Sequence, residues 1–120
     1  MGESWDEHLL WFKVSKLYKS LTKRGADFFS IPAAFTYTTG KSHWHTLIRA
    51  RAIENGCFVF APAQCGVHKN GRKTFGHSLI VDPWGQVIAE AQNQVDVIEA
   101  QIDPELVKNV RKKIPSMTIF

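Results

Sequence analysis

Two cysteines, Cys57 and Cys65, are the residues that could act as nucleophiles. A thiol acts as a nucleophile only when a base or a positive environment favours its thiolate. Cys57 opens the apolar run Cys57–Ala61, where a free cysteine behaves as a small buried hydrophobe. Cys65 sits beside Gly66 and three residues before His68, in a stretch rich in glycine and basic residues. A Cys–His pair at that spacing could lower a thiol pKa; the alternative is a plain loop residue. His43 and His45 are two apart, so on a helix they point to different sides, and the chain has no Cys-x-x-Cys or His-Glu-x-x-His spacing. No metal site and no cofactor are expected. Arg51 and Glu54 are three apart and read as a structural ion pair on one helix face. Lys69, Arg72 and Lys73 form a short basic loop that could hold an anion or an acidic partner, against the simpler reading of a solvated loop.

The elements that must position these residues follow from periodicity. Leu10, Val14, Leu17, Tyr18 and Leu21 share one helical face, and Gly25 follows a basic last turn. Phe28–Ile31 reads as a short buried strand ending at Pro32. A second helix opens at Thr38–Gly40 and closes at Asn55–Gly56, with Trp44, Leu47, Ile48 and Ala52 on one face. Cys57–Ala61 is a strand apolar on both faces, residues 62–77 a loop, and Ser78–Val81 a further strand. Asp82–Gly85 is a tight turn. Val87–Ala91 and Val95–Ile102 read as two more strands, and Asp103–Pro104 opens a last helix that runs to about Lys113. This is a mixed α/β pattern with an antiparallel section near its end.

Composition bounds the rest. In 120 residues, 44% are hydrophobic, 22% are charged, and eight Phe and four Trp are present, so a single globular domain with a core is expected. The net charge of +4 is a mild excess with acidic residues interspersed, so no nucleic acid is expected as a partner. No apolar run approaches the roughly 20 residues of a membrane span, and the acidic start lacks the form of a signal peptide. The expectation is a cytoplasmic protein without a membrane partner.

Several blocks together resemble the nitrilase superfamily, the carbon–nitrogen hydrolases. They are Gly25-Ala26-Asp27, Ile31-Pro32-Ala33-Ala34-Phe35-Thr36, Thr39-Gly40, His43-Trp44, Arg49 to Asn55, Ala63-Gln64-Cys65-Gly66, Gly76 to Gly85, Ile102-Asp103 and Val110-Arg111. The resemblance is to the C-terminal half of that family, most like the branch acting on small ω-amides, including deaminated glutathione. It implies half of an α-β-β-α sandwich, with residues 1–15 a divergent segment and 16–120 a partial hydrolase domain. It also implies hydrolysis of non-peptide C–N bonds by a cysteine nucleophile, a glutamate base and a lysine, through a thioester. The glutamate and lysine belong to the family's N-terminal half. Lys16–Leu21 resembles the end of the segment after the nucleophile, and counting back places Leu9 at the nucleophile position, Lys13 at an arginine and Ser15 at a proline.

No residue of this chain is therefore expected to be catalytic, and the loss of resemblance upstream of Ser15 reads as truncation, frameshift or rearrangement. The resemblance makes Phe35 and Thr36 pocket-wall residues, with His77 and Ser78 as neighbours, and puts the second helix at a subunit interface. Self-association or hetero-association through that helix is the implied partnership. A small amide or nitrile is the substrate only if an N-terminal half completes the fold. Three outcomes stand open: a truncated hydrolase inactive alone, one half of a split amidase completed by a second chain, and a non-catalytic binding module.

Overall fold

The computed structural model describes residues 15–115. Helix α1 covers residues 15–23. Strand β1 (Phe28–Ser30) leads into helix α2 (Tyr37–Asn55), which returns to strand β2 (Phe58–Ala61). Strands β3 (Cys65–Val67), β4 (Lys73–Phe75), β5 (Leu79–Val81) and β6 (Val87–Glu90) follow, and helix α3 (Glu105–Lys113) closes the order.

The main sheet has the strand order β1-β2-β5-β6. β1 and β2 are parallel, in register Phe29 to Val59, because α2 carries the chain back to the same end. β5 and β6 then join antiparallel, with a register shift between Ile80 and Val81. The mixed α/β class read from the sequence is the class observed.

Side chains alternate across the sheet. Phe29, Ile31, Val59, Ala61, Leu79 and Val81 join Trp44, Ile48 and Ala52 of α2 in one buried cluster. Phe28, Phe58 and Phe60 fall on the opposite face, where Phe28 stacks on Phe58 at 5.7 Å and remains 43% exposed. Apolar residues on both faces explain why Phe58–Ala61 lacks any hydrophobic alternation in sequence.

The C-terminus of α2 shows how the fold is locked. Gly56 adopts the left-handed conformation at φ 59°, and its N–H and that of Cys57 close onto the carbonyls of Ile53 and Ala52. The remaining end carbonyls accept from side chains of other elements: Glu54 O from Lys19 of α1, and Asn55 O from Arg111 of α3. Both cations therefore sit at the negative end of the helix dipole.

Four expectations need correcting. The stretch 62–77 is not all loop: β3 and β4 pair as a two-stranded ribbon, Cys65 opposite Phe75. Turn-rich composition hid strands of only three residues each. Val95–Ile102 is not a strand: it has no ladder partner among the described residues, and Val95 and Val97 are 94% and 91% exposed. Alternating apolar residues make a strand only where a ladder and a packing surface meet them. In α1, Tyr18 packs on Phe29 at 4.9 Å while Leu17 is 52% exposed, because polar bonds from Lys19 and Thr22 to the end of α2 set the helix's rotation. Leu9, Leu10, Lys13 and Val14 lie outside the described residues. Finally, α2 starts at Tyr37 with Thr36 as its cap residue, rather than at Thr38–Gly40.

Candidate functional site

The parallel ladder of β1 and β2 continues past their ends. Ile31 N–H donates to Phe60 O at 2.8 Å, Ala33 N–H to Pro62 O at 3.0 Å, and Gln64 N–H to Ala33 O at 3.1 Å. Pro32 and Pro62 interrupt the strands without breaking this zipper, since each lacks only its own N–H. Ser78 closes the third side: its Oγ accepts from Ala63 N–H at 2.9 Å. Clefts beyond the carboxyl ends of parallel strands are common ligand sites.

Two adjoining concavities open there. One, of about 490 Å³, is lined by Pro32, Ala33, Ala34, Pro62, Ala63, Gln64 and Ser78. The other, of about 380 Å³, shares Ala63, Gln64 and Ser78 and adds Cys65, His68 and Asp96 among others. Together they form a shallow groove with small side chains on its floor and amide, hydroxyl and imidazole groups at its rim. Such a groove can position a small polar molecule.

The two cysteines separate clearly. Cys57 is fully buried beneath α2, and burial pushes its thiol up to about 12, with the charge of Arg111 opposing. A thiol held neutral and out of solvent is no nucleophile. Cys65 is half-buried and lines the second concavity with His68. The His68 ring, however, is hydrogen-bonded through Nε2 to Thr74 Oγ1 at 3.1 Å.

Phe35 is buried in the core, its ring edge-on to Trp44 at 5.5 Å. Thr36 opens α2, where its Oγ1 donates to Thr39 Oγ1 at 3.1 Å. Neither lines the two concavities; their immediate neighbours Ala33 and Ala34 do. Of the other two residues expected near a pocket, Ser78 lines both concavities. His77 lines neither and instead holds φ 61° with its ring stacked on Phe75 at 3.9 Å. Sequence reasoning passed over Gln64, although its place between Ala63 and Cys65 after a strand-ending proline marks a strand-to-loop exit.

Trp44 packs in the core and donates from Nε1 to His77 O at 2.7 Å, which fixes the backbone just before Ser78. Arg51 and Glu54 form the expected pair at 3.0 Å. The basic loop is largely tied to the fold: Lys73 lies over the Tyr37 ring at 4.1 Å, and Arg72 reaches Ala34 O at 3.3 Å. No group of three metal-ligating side chains converges among the described residues, and no helix there is long and apolar enough to cross a membrane.

Comparison with known proteins places this geometry. Residues 11–112 match the family Carbon-nitrogen hydrolase. The chain is 49% identical over 105 residues to deaminated glutathione amidase of Synechocystis sp., which covers 88% of this chain and 39% of that protein. Among solved structures it is similar to the NitFhit protein of C. elegans, with a TM-score of 0.83, 47% identity and coverage of 87% of this chain and 25% of that one. Nit3 of Saccharomyces cerevisiae, a nitrilase-superfamily member, matches with a TM-score of 0.79 at 34% identity over 84% of this chain and 37% of its own. The chain thus spans well under half the length of the proteins it matches. The family match runs through the groove-forming segments 31–36, 61–66 and 76–85, and the chain belongs to the carbon–nitrogen hydrolase family.

Proposed function

We propose that this chain forms the C-terminal part of an amidase and supplies one wall of its substrate pocket rather than its nucleophile. The observation that carries this reading is the groove at the ends of β1 and β2, built from backbone that the Ser78 hydroxyl and the Ala33–Gln64 zipper hold in place. Its floor of alanines and prolines suits the body of a small substrate, and Gln64 offers a polar side chain to an amide. Phe35 and Thr36 act from behind the wall: Phe35 wedges the loop 31–36 against Trp44, and Thr36 ends it at α2.

The nucleophile belongs elsewhere in this reading. Cys57 is buried and neutral, and the His68 ring beside Cys65 is engaged by Thr74. The thiol, carboxylate and lysine that the family resemblance implies come from polypeptide that lies outside the stretch shared with the relatives. A solved amidase from Nesterenkonia sp., 27% identical over 67% of this chain with a TM-score of 0.55, carries an acetamide moiety on its active-site cysteine. That observation supports thiol chemistry for the completed fold.

The test is hydrolysis of deaminated glutathione, the substrate named for the Synechocystis relative, read as release of its amine half, cysteinylglycine. The 120-residue chain is assayed alone and co-expressed with the N-terminal portion of that relative. No release alone and release on co-expression is the expected result. Release by the chain alone that Cys65→Ser abolishes would place the nucleophile in this chain and overturn the proposal.

A further inference from the structure

Four asparagines stand in the chain, and two of them, Asn55 and Asn70, are followed by glycine. An Asn-Gly step carries its own chemistry. The glycine nitrogen can attack the side-chain amide carbon of the asparagine, because no Cβ on the glycine blocks the approach. The new N–Cγ bond closes a succinimide ring, and the side-chain nitrogen leaves as ammonia. Water then opens the ring at either carbonyl and leaves aspartate or isoaspartate. In isoaspartate the main chain runs through the side-chain carbon and is longer by one methylene. Water is the co-reactant, and nothing is oxidised or reduced.

The fold treats the two steps oppositely. Asn55 is fully buried at the end of α2. Its Nδ2 donates to Arg51 O at 2.8 Å, and its Oδ1 accepts from Thr22 Oγ1 at 3.2 Å. The Gly56 N–H is turned onto the carbonyls of Ala52 and Ile53. Both ends of the side-chain amide and the attacking nitrogen are thus engaged, and freeing them means opening the helix end with its cap. Asn70 and Gly71 are instead exposed at the tip of the β3–β4 ribbon. Asn70 Oδ1 accepts from the Arg72 N–H at 2.9 Å, which folds the side chain back along the Asn70–Gly71 peptide. The same bond polarises the carbonyl under attack and stabilises the oxyanion that forms on it. Lys69, Arg72 and Lys73 make the loop positive, which favours the deprotonated glycine amide. One bond opposes the reaction, from Gly71 N–H to His68 O at 2.8 Å, and at an exposed turn such a bond opens at small cost.

We propose that Asn70 is a spontaneous modification site, converting to isoaspartate and aspartate with loss of ammonia, and that isoaspartate there unlocks the tip of the β3–β4 ribbon beside the groove. His68 makes the link. It lines the second concavity, its N–H donates to Arg72 O at 2.8 Å, and its carbonyl accepts from Gly71. A methylene added between Asn70 and Gly71 puts both bonds out of register. Aspartate leaves the backbone unchanged and keeps an acceptor for the Arg72 N–H, although it adds a negative charge to the loop.

The 120-residue chain is aged in neutral buffer at physiological temperature, folded and in urea, then cut at aromatic residues so that Asn55 and Asn70 fall in separate peptides. Mass spectrometry reads deamidation, and an isoaspartyl methyltransferase marks isoaspartate. In the folded chain Asn70 is expected to convert at least about tenfold faster than Asn55, whereas in urea the two should convert at similar rates. Asn70→Gln should abolish conversion at that position, since glutamine must close a larger ring and does so far more slowly. Aged chain carrying isoaspartate should exchange the His68 and Gly71 amides at least about tenfold faster than fresh chain, and Asn70→Asp should exchange like fresh chain. Equal conversion of Asn55 and Asn70 in the folded chain, or an Asn70 that survives in the folded chain while converting in urea, would overturn the site. Isoaspartate at this position with unchanged exchange at His68 and Gly71 would overturn its link to the ribbon.

Discussion

Arg111→Met is the most informative single perturbation of this fold. The guanidinium of Arg111 reaches from α3 to three groups on two other elements. It donates to Ala26 O at 2.8 Å, to Asn55 O at 3.2 and 3.3 Å, and to the Asp27 carboxylate at 2.9 Å. The ion pair is the weak part, since the Asp27 side chain is half exposed, and such pairs contribute about 0–1 kcal/mol. The carbonyl bonds are the strong part. Asn55 is fully buried, and its carbonyl is an end group of α2 that the helix itself cannot satisfy. Leaving such a group without a donor costs about 1–3 kcal/mol, and bonds from a charged donor contribute about 1.5–3 kcal/mol. Water can replace part of this, because the arginine side chain is itself partly exposed. The expected loss is about 2–3 kcal/mol, with methionine retaining the aliphatic packing over Gly56. Urea unfolding measures the loss, and amide exchange in α3 should accelerate before that of α2. Asp27→Asn serves as the control and should lose no more than about 0.5–1 kcal/mol. A loss under about 0.5 kcal/mol for Arg111→Met, or equal losses for the two variants, would refute the argument that buried helix-end carbonyls set the value.

Gly40→Ala should destabilise the chain by more than about 2 kcal/mol in urea unfolding, although alanine is the better helix former by about 1 kcal/mol. An added Cβ would meet Phe75 Cβ at 2.4 Å, where α2 crosses β4. Trp44→Phe should cost about 1–2 kcal/mol and loosen residues 77–78 in amide exchange, since it removes the bond to His77 O while keeping an aromatic ring. Cys57 predicts a pH dependence. Its thiol is pushed up to about 12 in the native state, whereas an unfolded thiol ionises near about 8.5. The native state retains a proton that the unfolded state releases, so stability is fully present below about pH 8.5 and falls by about 1.4 kcal/mol per unit as pH rises toward 12. Cys57→Ala should lose that alkaline slope, and an unchanged slope between pH 9 and 11 would refute this cause. Ser78→Ala should cost about 1 kcal/mol and raise amide exchange at Ala63, the loop held by that hydroxyl.

Much of the fold was legible in the residues because local chemistry decided it. The spacing of Trp44, Ile48 and Ala52 dictated the buried face of α2, and Asn55–Gly56 its end, since only a left-handed residue allows the chain to close onto the last carbonyls. Asp82 set the turn after β5 by accepting from the N–H groups of Trp84 and Gln86, both at 2.9 Å. The apolar run at Phe58–Ala61 marked a central strand. The family, too, was carried by short blocks of sequence. Other features depended on partners distant in the chain. The ribbon of β3 and β4 exists because Phe75 packs under α2 and its N–H bonds Phe35 O at 3.1 Å. The exposure of Leu17 follows from polar contacts between α1 and the end of α2, 35 residues away. Residues 95–102 carry a strand's pattern, but a strand requires a neighbour, and periodicity specifies a face without supplying the edge to pair with. The same distinction governs the site. The family resemblance made Phe35 and Thr36 pocket-wall residues, whereas the residues that line the two concavities follow from the zipper from Ile31 to Gln64 and from Ser78, because the direction of a side chain at a strand's end depends on which backbone groups it is bonded across from.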